Sequence, residues 1–391
     1  MAGRLKPTLL GLLILLAPAA TLAQEVAPEA ATGRNEKALF AANRHMAVTA
    51  DPAATRTATE ILAKGGSAVD AAIAAQLVLG LVEPQSSGLG GGAFLVHFDA
   101  ATGKVTTLDG RETAPAGATP RLFLDENGEP MQFFDAVVGG RSVGTPGTVA
   151  LLYEAHKRHG KLPWADLFTP AIRLAEDGFS VSGRLNALIS ESAESLFRQE
   201  ASRLYFLSEE GVPLFPGATR KNPQYAATLR AIAKDGPGGF YEGEIAADIV
   251  AAVAGDPDNP GTLSEADLKA YAVIEREPVC TAWRVYSVCG MGPPSSGAIA
   301  VAQILRLTEP FNLAKLGPND PQSWRLIGDA SRLAFADREK FVADPAFVKQ
   351  PKGMLNGDYL SSRAKLLEGT QALGPDAVKA GEPPFDQAFN F

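Results

Sequence analysis

The sequence predicts an α/β fold, and three observations carry that reading. Runs of helical composition alternate with short runs rich in β-branched and aromatic residues. Ser and Pro stand where the helical runs begin, and Gly-Gly or Glu-Pro stands where they end. Of the 391 residues 46% are apolar and 20% charged, which is enough apolar material for a packed core. The formal net charge is −8 and the pI about 5.2. An acidic balance argues against nucleic acid or an anionic membrane surface as the main partner.

The N-terminus reads as a secretory signal peptide over residues 1–23. Arg4 and Lys6 supply the positive start, Leu9–Ala17 (LLGLLILLA) the apolar stretch, and Thr21-Leu22-Ala23 the small-residue cleavage site. A membrane anchor is the alternative, but the stretch falls short of the roughly 20 residues needed to span a bilayer. Residues 24–37 (QEVAPEAATGRNEK) read as a flexible leader, and 38–391 as the folded domain. The expected location is the periplasm or the medium.

Met46–Ala50 reads as a short buried strand. Pro52–Lys64 has helical composition and stops at Gly65-Gly66. Ser67, with Asp70 three residues on, is a capping arrangement for Ala68–Val82, a helix apolar on nearly every side and therefore central. Ala93–Phe98 and Val105–Leu108 read as strands joined through a turn at Gly103. A helix follows the Gly/Pro turn at Val143–Gly147 and runs to His159. Pro163–Gly178 reads as a second helix, interrupted or kinked by Pro170. Asn222–Lys234, Gly243–Ala254, Thr262–Tyr271 with Ser264 as cap, Ala298–Thr308 and Gln322–Ala343 are further helices. Cys280 and Cys289 flank a strand-rich stretch, and a hairpin there would bring them together. A disulfide is permitted in an exported protein, with two buried thiols as the alternative.

Gly88–Ala93 fits G-x-G-x-x-A, yet it follows a helix and opens a strand, the reverse of a dinucleotide site. It reads instead as a tight backbone turn. His156 and His159 sit three apart on a helix without the Glu of a metalloprotease motif, so a solvated face is expected and no metal. Pro293–Gly297 (PPSSG) offers two serines in a rigid turn, read as a helix cap rather than a nucleophile. Arg111 follows a strand and a glycine and precedes a loop. Its planar guanidinium could grip a carboxylate with two parallel hydrogen bonds, or form an ion pair with Asp109 or Glu112.

In order and spacing, the segments between about Met46 and Val348 resemble the γ-glutamyltransferase family of N-terminal nucleophile hydrolases. The resemblance rests on MAVTADPAATRTATEILAKGGSAVDAAIAAQLVLGLVEPQSSGLGGGAFLV, LDGRETAP, SVGTPGTVALL, FTPAIRLAEDGF, GPGGFYEGEIAADI, LSEADLKAY, GPPSSGAIAVAQIL and ADREKFVADPAFV. One departure is Ala298, where the family usually carries a second glycine.

The resemblance implies an αββα sandwich, of which this chain is the large-subunit portion, completed by a small subunit. It implies γ-glutamyl transfer from glutathione or similar compounds to water, amino acids or peptides, without a cofactor. The family's nucleophile is a Thr freed at the start of the small subunit by self-cleavage, expected here just after Phe391, so no catalytic residue is expected within the chain and the chain alone should lack turnover. Arg111 maps onto the arginine that binds the substrate α-carboxylate. A glutaryl or cephalosporin acylase subunit and an inactive truncated homologue are the alternatives.

Overall fold

A computed structural model describes residues 38–386. The signal peptide and leader expected over 1–37, and the end of the tail beyond 386, lie outside the described residues. Among the described residues no helix is long and apolar enough to cross a membrane.

Helix α1 (Pro52–Ala63) starts on Asp51, whose carboxylate accepts from Ala53 N at 2.6 Å, with Pro52 in the first turn where no N–H is needed. Helix α2 (Ala68–Val82) starts on the expected box: Asp70 N donates to Ser67 Oγ at 3.0 Å and Ser67 N to Asp70 Oδ2 at 2.8 Å. Asp70 is fully buried and its Oδ2 also accepts from Lys161 N at 2.9 Å and Leu162 N at 3.1 Å. One carboxylate thus joins a helix start to a loop some ninety residues away. Ile73, Leu77 and Leu81 of α2 lie in the main core with Phe168, Leu229 and Leu268. Burying each contributes about 1.5–3 kcal/mol.

Strands β1 (Ala93–Asp99) and β2 (Lys104–Gly110) form an antiparallel hairpin, Ala93 opposite Gly110 and Asp99 opposite Lys104. Gly103 closes the turn with φ +68°, a conformation other residues avoid. Two further strands form a small ribbon, β3 (Phe179–Ser180) with β4 (Thr219–Arg220). Strand β5 (Ile274–Arg276) pairs with β2, placing Thr107 opposite Arg276. Strand β1 is one of the two edge strands of this three-stranded sheet, and Phe94, Val96 and Phe98 on one of its faces are exposed. Strands β6 (Val279–Trp283) and β7 (Tyr286–Gly290) make the cysteine hairpin, where Cys280 faces Cys289 and the two are joined by a disulfide. That hairpin leads to a second core, built from Ile299, Leu326, Leu333, Tyr359 and Leu360.

Two expectations change, and one that had two alternatives is resolved. Met46–Ala50 is not a strand, and Val48 is exposed. Thr49 instead supports the start of α1, its hydroxyl bonded to Asp51 O at 2.7 Å and to Thr55 Oγ1 at 2.8 Å. Pro163–Gly178 is interrupted at Pro170 rather than kinked there. A 3-10 turn (Trp164–Phe168) gives way to a fresh helix, Thr169–Asp177, with Pro170 in its first turn, where the missing N–H costs nothing. The two histidines do not line a solvated face. His156 Nε2 donates to Leu162 O at 2.8 Å, and His159 stacks on His97 with ring centroids 3.9 Å apart. Packing across to β1 outweighs the polar appearance of their neighbours.

Candidate functional site

The end of β2 is where the chain builds a polar pocket. Leu108 points into the main core and is 2% exposed, and the alternation of the strand puts Asp109 on the opposite face. Asp109 Oδ2 accepts from Arg276 Nε at 2.7 Å, and its Oδ1 accepts from Arg111 N at 2.9 Å. Thr107 Oγ1 donates to Arg276 O at 2.5 Å, so both the backbone and the side chain of Arg276 are tied to β2. On the other side, the Tyr271 hydroxyl donates to Arg111 O at 2.7 Å. The backbone of Arg111 is therefore clamped at its N–H and its carbonyl, while its side chain is exposed.

Tyr271 is itself fixed. It lies just past the helix Glu265–Ala270, which Ser264 and Asp267 cap reciprocally. Its ring is parallel to that of Tyr241, with centroids 6.0 Å apart, and Tyr241 donates to Pro146 O at 2.8 Å. Burial, then Tyr241, Asp109 and Glu112, push the Tyr271 phenol above its ordinary range, so it stays protonated as a donor.

Glycines permit this density. The turn at Gly88–Gly92 places Gly91 O as acceptor for Gly147 N at 2.9 Å and Thr148 N at 3.1 Å, at the start of the helix α3 (Thr148–His159). A Cβ on Gly147 would sit 2.1 Å from Gly110 O and 2.1 Å from the Tyr271 hydroxyl. A Cβ on Gly92 would sit 2.6 Å from Glu112 Oε2. The glycine run serves as a tight turn that lets backbone meet backbone behind Arg111.

The resulting cavity, about 410 Å³, is lined by Arg111, Asp109, Glu112, Tyr271, Arg276 and Arg338 among others. Of its three guanidiniums, Arg276 is committed to Asp109. Arg338 donates to Ser296 Oγ at 3.0 Å and pairs with Glu339. Among the described residues no ion pair engages Arg111, because Asp109 is already taken up by Arg276 and by the Arg111 backbone. A planar, uncommitted guanidinium at the mouth of such a cavity is suited to an incoming carboxylate.

Of the residues lining this cavity, sequence reasoning had singled out Arg111 and not Tyr271, Arg276 or Arg338. Arg276 sits on a three-residue strand too short to stand out, and Arg338 lies mid-helix in Pro321–Phe341 among other charges. The PPSSG turn caps its helix only through Ser295, whose Oγ accepts from Gly297 N at 3.4 Å. Ser296 precedes the helix Gly297–Thr308 but makes no capping bond, since its hydroxyl serves Arg338, and Pro294 lines the cavity.

The gamma-glutamyltranspeptidase family model matches residues 54–387. The glutathione hydrolase proenzyme of Bacillus subtilis is 38% identical over 339 residues, covering 86% of this chain and 57% of the relative. The acylase ACY 1 proenzyme of a Pseudomonas strain is 36% identical, covering 88% of this chain and 62% of the relative. The crystal structure of Helicobacter pylori gamma-glutamyltranspeptidase superposes with a TM-score of 0.84 at 31% identity, covering 88% of this chain and 97% of that one. The chain therefore spans about three fifths of the length of the curated relatives it matches. With the family model extending over most of the chain and the backbone following a solved member so closely, the α/β fold is that of the N-terminal nucleophile hydrolases and the chain belongs to the gamma-glutamyltranspeptidase family.

Proposed function

We propose that residues 38–391 form the large-subunit portion of an exported γ-glutamyltransferase, and that Arg111 grips the α-carboxylate of the γ-glutamyl donor. The uncommitted Arg111 guanidinium, held by Asp109 and Tyr271 through its backbone, carries this reading. The nucleophile belongs to the part of the family's polypeptide that this chain does not span. There a Thr hydroxyl attacks the γ-carbonyl carbon, its proton passing by way of the Thr α-amino group to the departing amine. The acyl-enzyme then gives the glutamyl group to water, an amino acid or a peptide. In this reading Arg111 binds and orients the donor and performs no proton transfer. The exposed face of β1, with Phe94, Val96 and Phe98, supports a partner polypeptide.

The test is release of nitroaniline from γ-glutamyl-p-nitroanilide by the chain together with its Thr-bearing small subunit. Absence of release overturns the reading. Because an acylase proenzyme is among the relatives at 36% identity, glutaryl-p-nitroanilide is the necessary comparison, and faster release from it would reassign the donor. Export would give a mature protein that begins at Gln24, which N-terminal sequencing reads directly.

A further inference from the structure

The run of residues 45–49 has the pattern of a strand and, among the described residues, nothing to pair with. We propose that it is a docking edge to which a strand of the Thr-bearing small subunit adds, backbone to backbone. The inference rests on the reading of this chain as the large-subunit portion and names where that partner seats.

The backbone of 45–49 runs without turn or bend. Burial alternates along it: His45, Ala47 and Thr49 are half-buried, while Met46, Val48 and Ala50 are exposed. That period of two is what a strand with one covered face shows. Ala47 packs against the main core, and the Thr49 hydroxyl is bound to Asp51 O and Thr55 Oγ1. The segment is therefore held before any partner arrives. Its backbone is the unused part. Among the described residues no N–H or carbonyl of 45–49 makes a hydrogen bond. A row of free donors and acceptors on a fixed segment is a template for a further strand.

The exposed side chains say what kind of strand fits. Val48 is 83% exposed, Phe40 75% and Met46 51%, and all three line a hollow of about 530 Å³ together with Pro52 and Thr55. Arg56 is the one charged residue in that lining. Apolar side chains beside unpaired backbone complement a strand that brings apolar side chains of its own. The occupant comes from the polypeptide outside this chain's span, since the match covers only 57% and 62% of the two curated relatives.

Hydrogen–deuterium exchange tests this on the full chain alone and on the assembled enzyme. The amides of 45–49 should exchange freely in the chain alone and at least about 100-fold more slowly after assembly. Ala47→Pro and Val48→Pro remove N–H groups that point to opposite edges, and at least one should weaken assembly roughly tenfold or more. Val48→Thr keeps both the N–H and the branch and should stay within about threefold. The Tm of the chain alone should move by less than about 2 °C for Val48→Pro, since that N–H has no partner there. The wild-type exchange needs no variant and decides the matter if a proline variant misfolds. Unprotected amides in the assembled enzyme, or normal assembly of both proline variants, would overturn the proposal. So would protection already present in the chain alone, whether it rises with concentration, as for a second copy, or is lost on deleting residues 24–37. Nitroaniline release is read on the same samples. Protection without release would keep this interface and sink the transferase reading, and release without protection would do the reverse.

Discussion

The Arg276 guanidinium meets the Asp109 carboxylate at 2.7 Å across two hydrogen-bonded neighbouring strands, and both groups are largely buried. The pair is what frees Arg111. A carboxylate two residues before an arginine would otherwise be its natural partner, and here it is occupied from the opposite strand.

Replacing Arg111 by Lys removes the planar fork but keeps the charge. In the assembled enzyme the KM for γ-glutamyl-p-nitroanilide should rise roughly 10- to 100-fold, equivalent to about 1.5–3 kcal/mol for a charge-assisted pair. The kcat should change much less, because the group binds without moving protons. An unchanged KM would remove Arg111 from donor binding.

Asp109→Asn leaves Arg276 largely buried without its counter-charge, and a loss of stability of about 3 kcal/mol is expected in urea unfolding. The amide oxygen can still accept from Arg111 N, so KM should rise only a few fold. Adding Arg276→Met to Asp109→Asn should recover part of the stability. Strict additivity of the two losses would show that the ion pair is not the relevant coupling.

The His159 imidazole is held below its ordinary pKa of 6.5 by burial, then by His97 and Arg158. The folded state therefore resists the proton that the unfolded chain accepts. Stability attributable to this site is fully present above about pH 6.5 and is lost as pH falls from there through the lower folded value. His159→Asn should show a smaller drop in Tm than wild type between about pH 7.5 and about pH 5.5. Identical pH slopes would assign the titration elsewhere.

The Cys280–Cys289 bridge closes a short hairpin next to the second core. Replacing both by Ser should cost about 2–3 kcal/mol by the loop-entropy estimate, seen as a lower urea midpoint. Activity of the assembled enzyme should be nearly unchanged below the new Tm, since neither sulfur lines the Arg111 cavity. A loss of activity without a loss of stability would point to a role for the hairpin in the site.

Legibility in the sequence followed the range of the interaction. Local signals were clear: the Ser67–Asp70 box, the Ser264 cap and the turn at Gly103 all appear where capping and turn chemistry put them. The placement of Arg111 at a strand end was equally readable, since it needs only the hairpin. What surrounds Arg111 was not, because Tyr271 and Arg276 arrive from 160 or more residues away and their own segments carry no distinctive pattern. Met46–Ala50 misled for the opposite reason. An apolar run resembles a strand whether or not a neighbour exists to pair with it, and Thr49 is spent on the Asp51 backbone instead.

Asp70 has a consequence for how the molecule opens. Its single Oδ2 atom accepts from Ser67, Lys161 and Leu162, so the three amides depend on one side chain. Their hydrogen–deuterium exchange should be correlated, with Ser67 and the Lys161-Leu162 pair becoming exchangeable in the same opening event although they are far apart along the chain.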